Sequence, residues 1–151
     1  MKCAAGFTLI ELVTVMILLG ILAAVALPRM TGLSDYRALE FRDRTVATLR
    51  YAQKTATSHR RTVCVAFTAT TVTLTIDHDK SGACNGQALN LPGSPANVLT
   101  SGDTTNAVFN PVPADFDFLA DGTANADVPP LTISGQTAIT VVRTTGHVHV
   151  Q

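Results

Sequence analysis

The sequence predicts an α+β protein: one long amino-terminal helix, then a small antiparallel β-sheet head packed on the second half of that helix. Three observations carry this reading. Residues 7–27 run for 21 positions with a single charge, Glu11; Leu39, Val46, Leu49, Ala52 and Ala56 recur at helical spacing; and from Thr62 the apolar period switches to two. The 151 residues suffice for one helix and one modest globular domain, and are too few for two.

As a helix, residues 7–27 would measure about 31 Å, the thickness of a bilayer's hydrocarbon core. A carboxylate placed there costs on the order of 2.5–3.5 kcal/mol, so Glu11 needs a partner or a proton and is the first functional candidate. A secretory signal peptide would account for Lys2 and for the small residues Ala24, Val25 and Ala26, and a generic membrane anchor for the apolar run. The acid inside the apolar region and the short leader MKCAAG count against the signal peptide.

Gly6-Phe7-Thr8-Leu9-Ile10-Glu11, followed by the apolar helix, resembles the class III signal of type IV pilins and of the pseudopilins of type II secretion. The match combines a short basic leader, a terminal glycine, an aromatic residue, and an acid at the fifth residue beyond the glycine. The resemblance implies a pilin fold, cleavage between Gly6 and Phe7 by a prepilin peptidase, and methylation of the new amine on Phe7. Gly20 and Pro28 sit where that family often has helix-loosening or kinking residues.

The implied domains are a leader at residues 1–6, a transmembrane and assembly helix at 7–34, and a periplasmic head at 35–151. The chain would be anchored in the bacterial inner membrane by a single pass. In a filament, Glu11 would neutralise the Phe7 amine of a neighbouring subunit, because two charges that are costly alone become tolerable as a pair. That pairing would set axial register.

Cys3 falls in the implied leader, which leaves Cys64 and Cys84 as the pair of the processed chain. Oxidation is expected in the periplasm, and a bridge across this loop of roughly 20 residues would contribute about 3 kcal/mol. The alternative is two buried free thiols.

The charge balance of 11 basic against 11 acidic residues hides a division. Residues 29–61 carry eight basic residues against three acids, whereas residues 62–151 carry two basic residues against seven aspartates. A basic helix can be simply a solvated face, can pack against acidic heads of neighbouring subunits, or can attract anionic lipid or nucleic acid.

In chain order, the helix is expected to pass Pro28 with a kink, with Gly32 as a second weak point. Ser34 and Asp35 can cap its restart, and it should end near Ser58 or His59. Arg37, Arg42, Arg50 and Lys54 lie off the apolar stripe. Val63, Val65 and Phe67, then Val72, Leu74 and Ile76, read as a β-hairpin with a threonine-rich outer face. Residues 77–97 read as loop, pinned by Cys84. Further strands are expected around Val108 and Phe109, at residues 116–119 before a turn at Asp121 and Gly122, and at residues 131–134, 139–143 and 147–150, with Gly135 and Gly146 at the turns.

This order resembles the GspH/FimT branch of pseudopilins and minor pilins, above all in residues 49–67, LRYAQKTATSHRRTVCVAF, and residues 132–150, TISGQTAITVVRTTGHVHV. Some FimT-like proteins capture DNA through a basic motif near the carboxyl end. Residues 142–147 here carry one arginine, Arg143, on an acidic head, so nucleic acid is disfavoured as a partner.

Two further patterns have the spacing of metal ligands. Asp77-His78-Asp79-Lys80-Ser81-Gly82 has the opening spacing of a calcium loop, but its twelfth position is Ala88 instead of a bidentate glutamate, so a polar turn is expected. His147 and His149 project to the same side of a strand without an evident third ligand, although His59 and His78 exist, and are expected to be exposed terminal-strand residues. No resident metal or cofactor is expected. The sequence has no nucleophile elbow, phosphate loop, HExxH helix or paired-cysteine zinc motif, and Ser134-Gly135 lacks the preceding glycine an elbow requires.

The resulting expectation is a non-enzymatic minor pseudopilin of type II secretion, with a minor type IV pilin of the MSHA or FimT kind as the alternative. Its partners would be a prepilin peptidase, other pilins or pseudopilins and the inner membrane, with no small-molecule substrate.

Overall fold

The computed structural model describes residues 8–26 and 33–151, divided into two compact units at residues 1–33 and 34–151. Gly6, Phe7, Pro28, Gly32 and the expected passage of the helix through Pro28 lie outside the described residues.

In the first unit, helix α1 spans Leu9–Ala26. Thr8 caps it: its hydroxyl oxygen accepts the Glu11 amide at 3.3 Å, and its carbonyl accepts the amides of Glu11 and Leu12 at 3.1 and 3.2 Å. The Thr14 hydroxyl is absorbed by the carbonyls of Ile10 and Glu11 at 3.0 and 2.9 Å. The helix continues through Gly20, where an added Cβ would meet nothing within 4 Å.

In the second unit, helix α2 (Leu33–His59) buries one face through Ala38, Phe41, Thr45, Leu49, Ala52 and Ala56, a run of three- and four-residue steps. Thr45 is tolerated there because its hydroxyl donates to the Phe41 carbonyl at 2.8 Å. The helix ends at His59 because Arg60 turns left-handed, with φ of 52°, which lets the Arg61 amide reach back to the Ala56 carbonyl at 3.1 Å.

The main sheet is built on the hairpin of β1 (Val63–Phe67) and β2 (Thr71–Ile76), in register Val63 to Ile76, Val65 to Leu74 and Phe67 to Val72. The Thr68 hydroxyl oxygen accepts the Thr71 amide at 3.0 Å and closes the turn. Beyond β2 lie β3 (Gln87–Ala88) and β4 (Val98–Thr100), which pair with opposite ends of the same edge. On the other side, β5 (Phe116–Phe118) pairs with β1, and the Asp115 carboxylate accepts the Phe67 amide at 2.8 Å where that ladder stops. Strands β6 (Ile139–Val141) and β7 (Val148–Val150) form a separate two-stranded sheet.

Five of the six phenylalanines line up through the core. Phe41 meets Phe109 edge-on at 5.3 Å, Phe109 meets Phe67 at 5.5 Å, Phe67 stacks on Phe116 at 5.9 Å, and Phe116 meets Phe118 at 5.2 Å. This chain of rings links α2 to the sheet.

The α+β architecture is as the sequence predicts, with local differences. Leu39 is only half-buried, because the buried face of α2 turns through Ala38 and Phe41 at that end. The expected loop at residues 77–97 contains β3, and β4 follows it directly. The expected strands around Phe109 and at residues 131–134 reduce to single bridges, Phe109 to Ile133 and Leu131 to Ile139.

Candidate assembly segment and head surface

Glu11 stands in the first turn of α1, where the unpaired amides of a helix start favour a negative charge. Threonine at the cap with glutamate three residues later is a capping-box spacing, of which the described residues show one half, the Thr8 hydroxyl accepting the Glu11 amide. Along α1 the large apolar side chains are exposed, among them Leu9 at 81% and Met16 and Leu22 at 65%. Among the described residues no helix is long and apolar enough to cross a membrane. As described, α1 has 18 residues, about 27 Å, against a hydrocarbon core of about 30 Å.

Cys64 of β1 and Cys84 are joined as a disulfide. Their sulfurs and an Asp117 carboxylate oxygen lie within 4.8 Å of one another, but sulfurs bonded to each other offer no thiolate to a metal. Burial, and then the neighbouring Asp115 charge, push the Asp117 carboxyl upward. Asp117 is held by Asn125, which donates to it at 2.7 Å.

The loop that opens at Asp77 is tightly organised. Asp77 is 1% exposed, and one of its carboxylate oxygens accepts the Gly82 amide at 2.7 Å. Asp79 accepts the Ser81 amide at 3.1 Å. Its carboxyl is held down to about 2, first by the Ser81 hydroxyl, then by the Ser81 amide, with a smaller contribution from the Asp77 side chain.

Two of the five arginines and lysines of α2 are tied into the fold. Arg42 donates to the Thr137 hydroxyl at 2.8 Å and pairs with Asp43, and the Arg50 Nε donates to the Val148 carbonyl at 3.0 Å. Arg61, just past the helix, donates to the His78 carbonyl at 2.6 Å. Arg37, facing Asp103 at 3.9 Å, and Arg44, facing Glu40 at 3.6 Å, remain at the surface, beside the exposed ring of Tyr36. The rings of His147 and His149 stack at 5.5 Å; His147 is exposed as expected, whereas His149 is half-buried because β7 tucks against β6.

The described residues thus comprise a capped, exposed apolar helix with an acid in its first turn, and an amphipathic helix with a small antiparallel sheet. Residues 1–27 match the prokaryotic N-terminal methylation motif. The chain is also similar to the type IV narrow pilus major component PilA5 of Thermus thermophilus, with 46% identity over 54 residues, which are 36% of this chain and 47% of that protein. The chain thus spans about half the length of the curated relative it matches. No solved structure matches it.

Proposed function

We propose that this chain is a structural, non-catalytic subunit of a type IV filament. It would be cut between Gly6 and Phe7, methylated on Phe7, and held in the bacterial inner membrane by residues 7–34 with residues 35–151 in the periplasm. The observation that carries the reading is the methylation motif at residues 1–27 running into an apolar helix whose side chains are exposed. In water such a surface is unfavourable by about 25 cal/mol per Å², so lipid before assembly and neighbouring helices after it are the environments that suit it. A helical, non-closing array of such subunits grows without limit at its membrane end.

Within that array Glu11 would face the Phe7 amine of an adjoining subunit and fix register, with Gly20 and Pro28 loosening the helix for packing. The pseudopilus of type II secretion and the type IV pilus both accommodate this. The pseudopilus reading rests on the GspH/FimT-like stretches at residues 49–67 and 132–150. The pilus reading rests on the similarity to a narrow-pilus component.

Deleting the gene and scoring exoprotein release and surface pili together separates the two readings. Loss of release with pili intact supports the pseudopilus, and the converse supports the pilus. Glu11→Ala is expected to leave the protein in the membrane but out of filaments. Normal incorporation of that variant would remove the assembly role of Glu11.

A further inference from the structure

We propose that the loop at residues 77–85 is a calcium site, with Asp77 and Asp79 as its charged ligands and Asn85 and the Ala83 carbonyl completing it. A helix-flanked calcium loop takes oxygens from its first, third, fifth, seventh and ninth positions and needs glycine at the sixth. Counted from Asp77, those positions are Asp79, Ser81, the carbonyl of Ala83 and Asn85, with Gly82 sixth at φ of 81°.

The structure brings these groups together outside any helix-loop-helix setting. The Gly82 amide returns to Asp77 at 2.7 Å and the Ser81 amide to Asp79 at 3.1 Å. The Ser81 hydroxyl lies 3.4 Å from the Ala83 carbonyl, and the Asn85 side-chain oxygen lies 3.4 Å from the His78 amide.

The independent observation is the second carboxylate oxygen of Asp77. It is buried, on a side chain that is 1% exposed and whose other oxygen accepts the loop's Gly82 amide, and among the described residues it has no hydrogen-bond partner. A buried carboxylate oxygen left in that state is costly, and a hard cation shared with Asp79 resolves the cost by direct ligation. The cations nearby are engaged elsewhere or exposed: the Arg61 guanidinium is fixed on the carbonyls of His78 and Asp77, with His78 Nδ1 at 3.5 Å, and Lys80 is exposed. Among the described residues neither Asp77 nor Asp79 has a salt-bridge partner within 4.0 Å.

The eighth position, Cys84, is tied to β1 by its disulfide, which holds the loop closed before any ion arrives. The twelfth, Ala88, lies in β3 opposite Thr75 and supplies no ligand, which places the affinity at the weak end, with Kd of about 10⁻⁴–10⁻³ M, as in extracellular calcium modules.

The test is calorimetric titration of CaCl2 into the full chain in detergent micelles, with thermal melts in parallel. Saturable one-to-one uptake in that range and a calcium-dependent rise in Tm are expected, and magnesium should give neither. Asp79→Asn, an exposed position, should weaken uptake at least about tenfold while leaving the calcium-free Tm in place. Asp77→Asn should abolish it. Absence of heat and of a Tm shift at about 10 mM calcium, or uptake undiminished in Asp79→Asn, would overturn the proposal.

Discussion

Gly146 lies directly against the backbone carbonyl of Gly122, so close that a Cβ on Gly146 would overlap that oxygen. Gln53 of α2 sits over the same junction, donating to the carbonyl of Thr145 at 2.7 Å and to that of Gly122 at 3.4 Å. The turn after β5 and the turn before β7 thereby meet at one point on the helix. Gly146 also has φ of 63°, so Gly146→Ala adds a disfavoured backbone conformation to a steric clash. A loss of at least about 2 kcal/mol in denaturant unfolding is expected, whereas Gly102→Ala, where a Cβ meets nothing, should stay within about 0.5 kcal/mol.

Phe109 touches both Phe41 of α2 and Phe67 of β1 edge-on, and its backbone amide is fixed by the Ala69 carbonyl at 2.8 Å. Removing the ring leaves a hole between helix and sheet that neither side can close. Phe109→Ala is expected to cost about 3–5 kcal/mol and Phe109→Leu clearly less, as read from paired chemical melts.

The Cys64–Cys84 bridge joins residues 20 apart in sequence. Chain entropy assigns such a loop about 3 kcal/mol, so the double variant Cys64→Ser/Cys84→Ser should lose about that much unfolding free energy and have a lower denaturant midpoint. Equal midpoints for wild type and variant would show that the bridge does not stabilise the head.

Acid should weaken the head through Asp103 and Asp121. The amide and side chain of Asn106 and the amide of Thr105 lower the Asp103 carboxyl, and the amide and hydroxyl of Thr123 lower that of Asp121. A carboxyl lowered in the folded state contributes stability that is present above its unfolded value, near 3.8, and is lost as pH falls through its folded value. Asp117 has the opposite sign: its raised carboxyl opposes folding when ionised, and that opposition is relieved as pH falls. Melts from about pH 5 to about pH 2 should show stability falling below pH 4, and a shallower fall in Asp103→Asn/Asp121→Asn.

The strongly periodic parts of the fold were legible in the sequence. Alternation at Val63, Val65, Phe67, Val72, Leu74 and Ile76 marks the β1–β2 hairpin, and the end of α2 at His59 follows from where its helical period stops. Gln87 and Ala88 were illegible because two exposed residues on a sheet edge carry no alternation. Val98, Leu99 and Thr100 offer one buried side chain among three, too little to separate a strand from a loop. Leu39 misled because five apolar positions define the stripe's angle poorly, and Ala38 and Phe41 take its place. At the candidate sites, the threonine and glutamate spacing at Thr8 and Glu11 was present in the sequence as a helix-start signal. The burial of Asp77 was not, since it depends on how the loop folds back through Gly82.

The most direct measurement is intact mass spectrometry with terminal sequencing of the native protein drawn from membranes and from filaments. A chain beginning at a methylated Phe7 is expected in both fractions. A chain beginning at Met1, or at any residue beyond Ala26, would contradict that expectation.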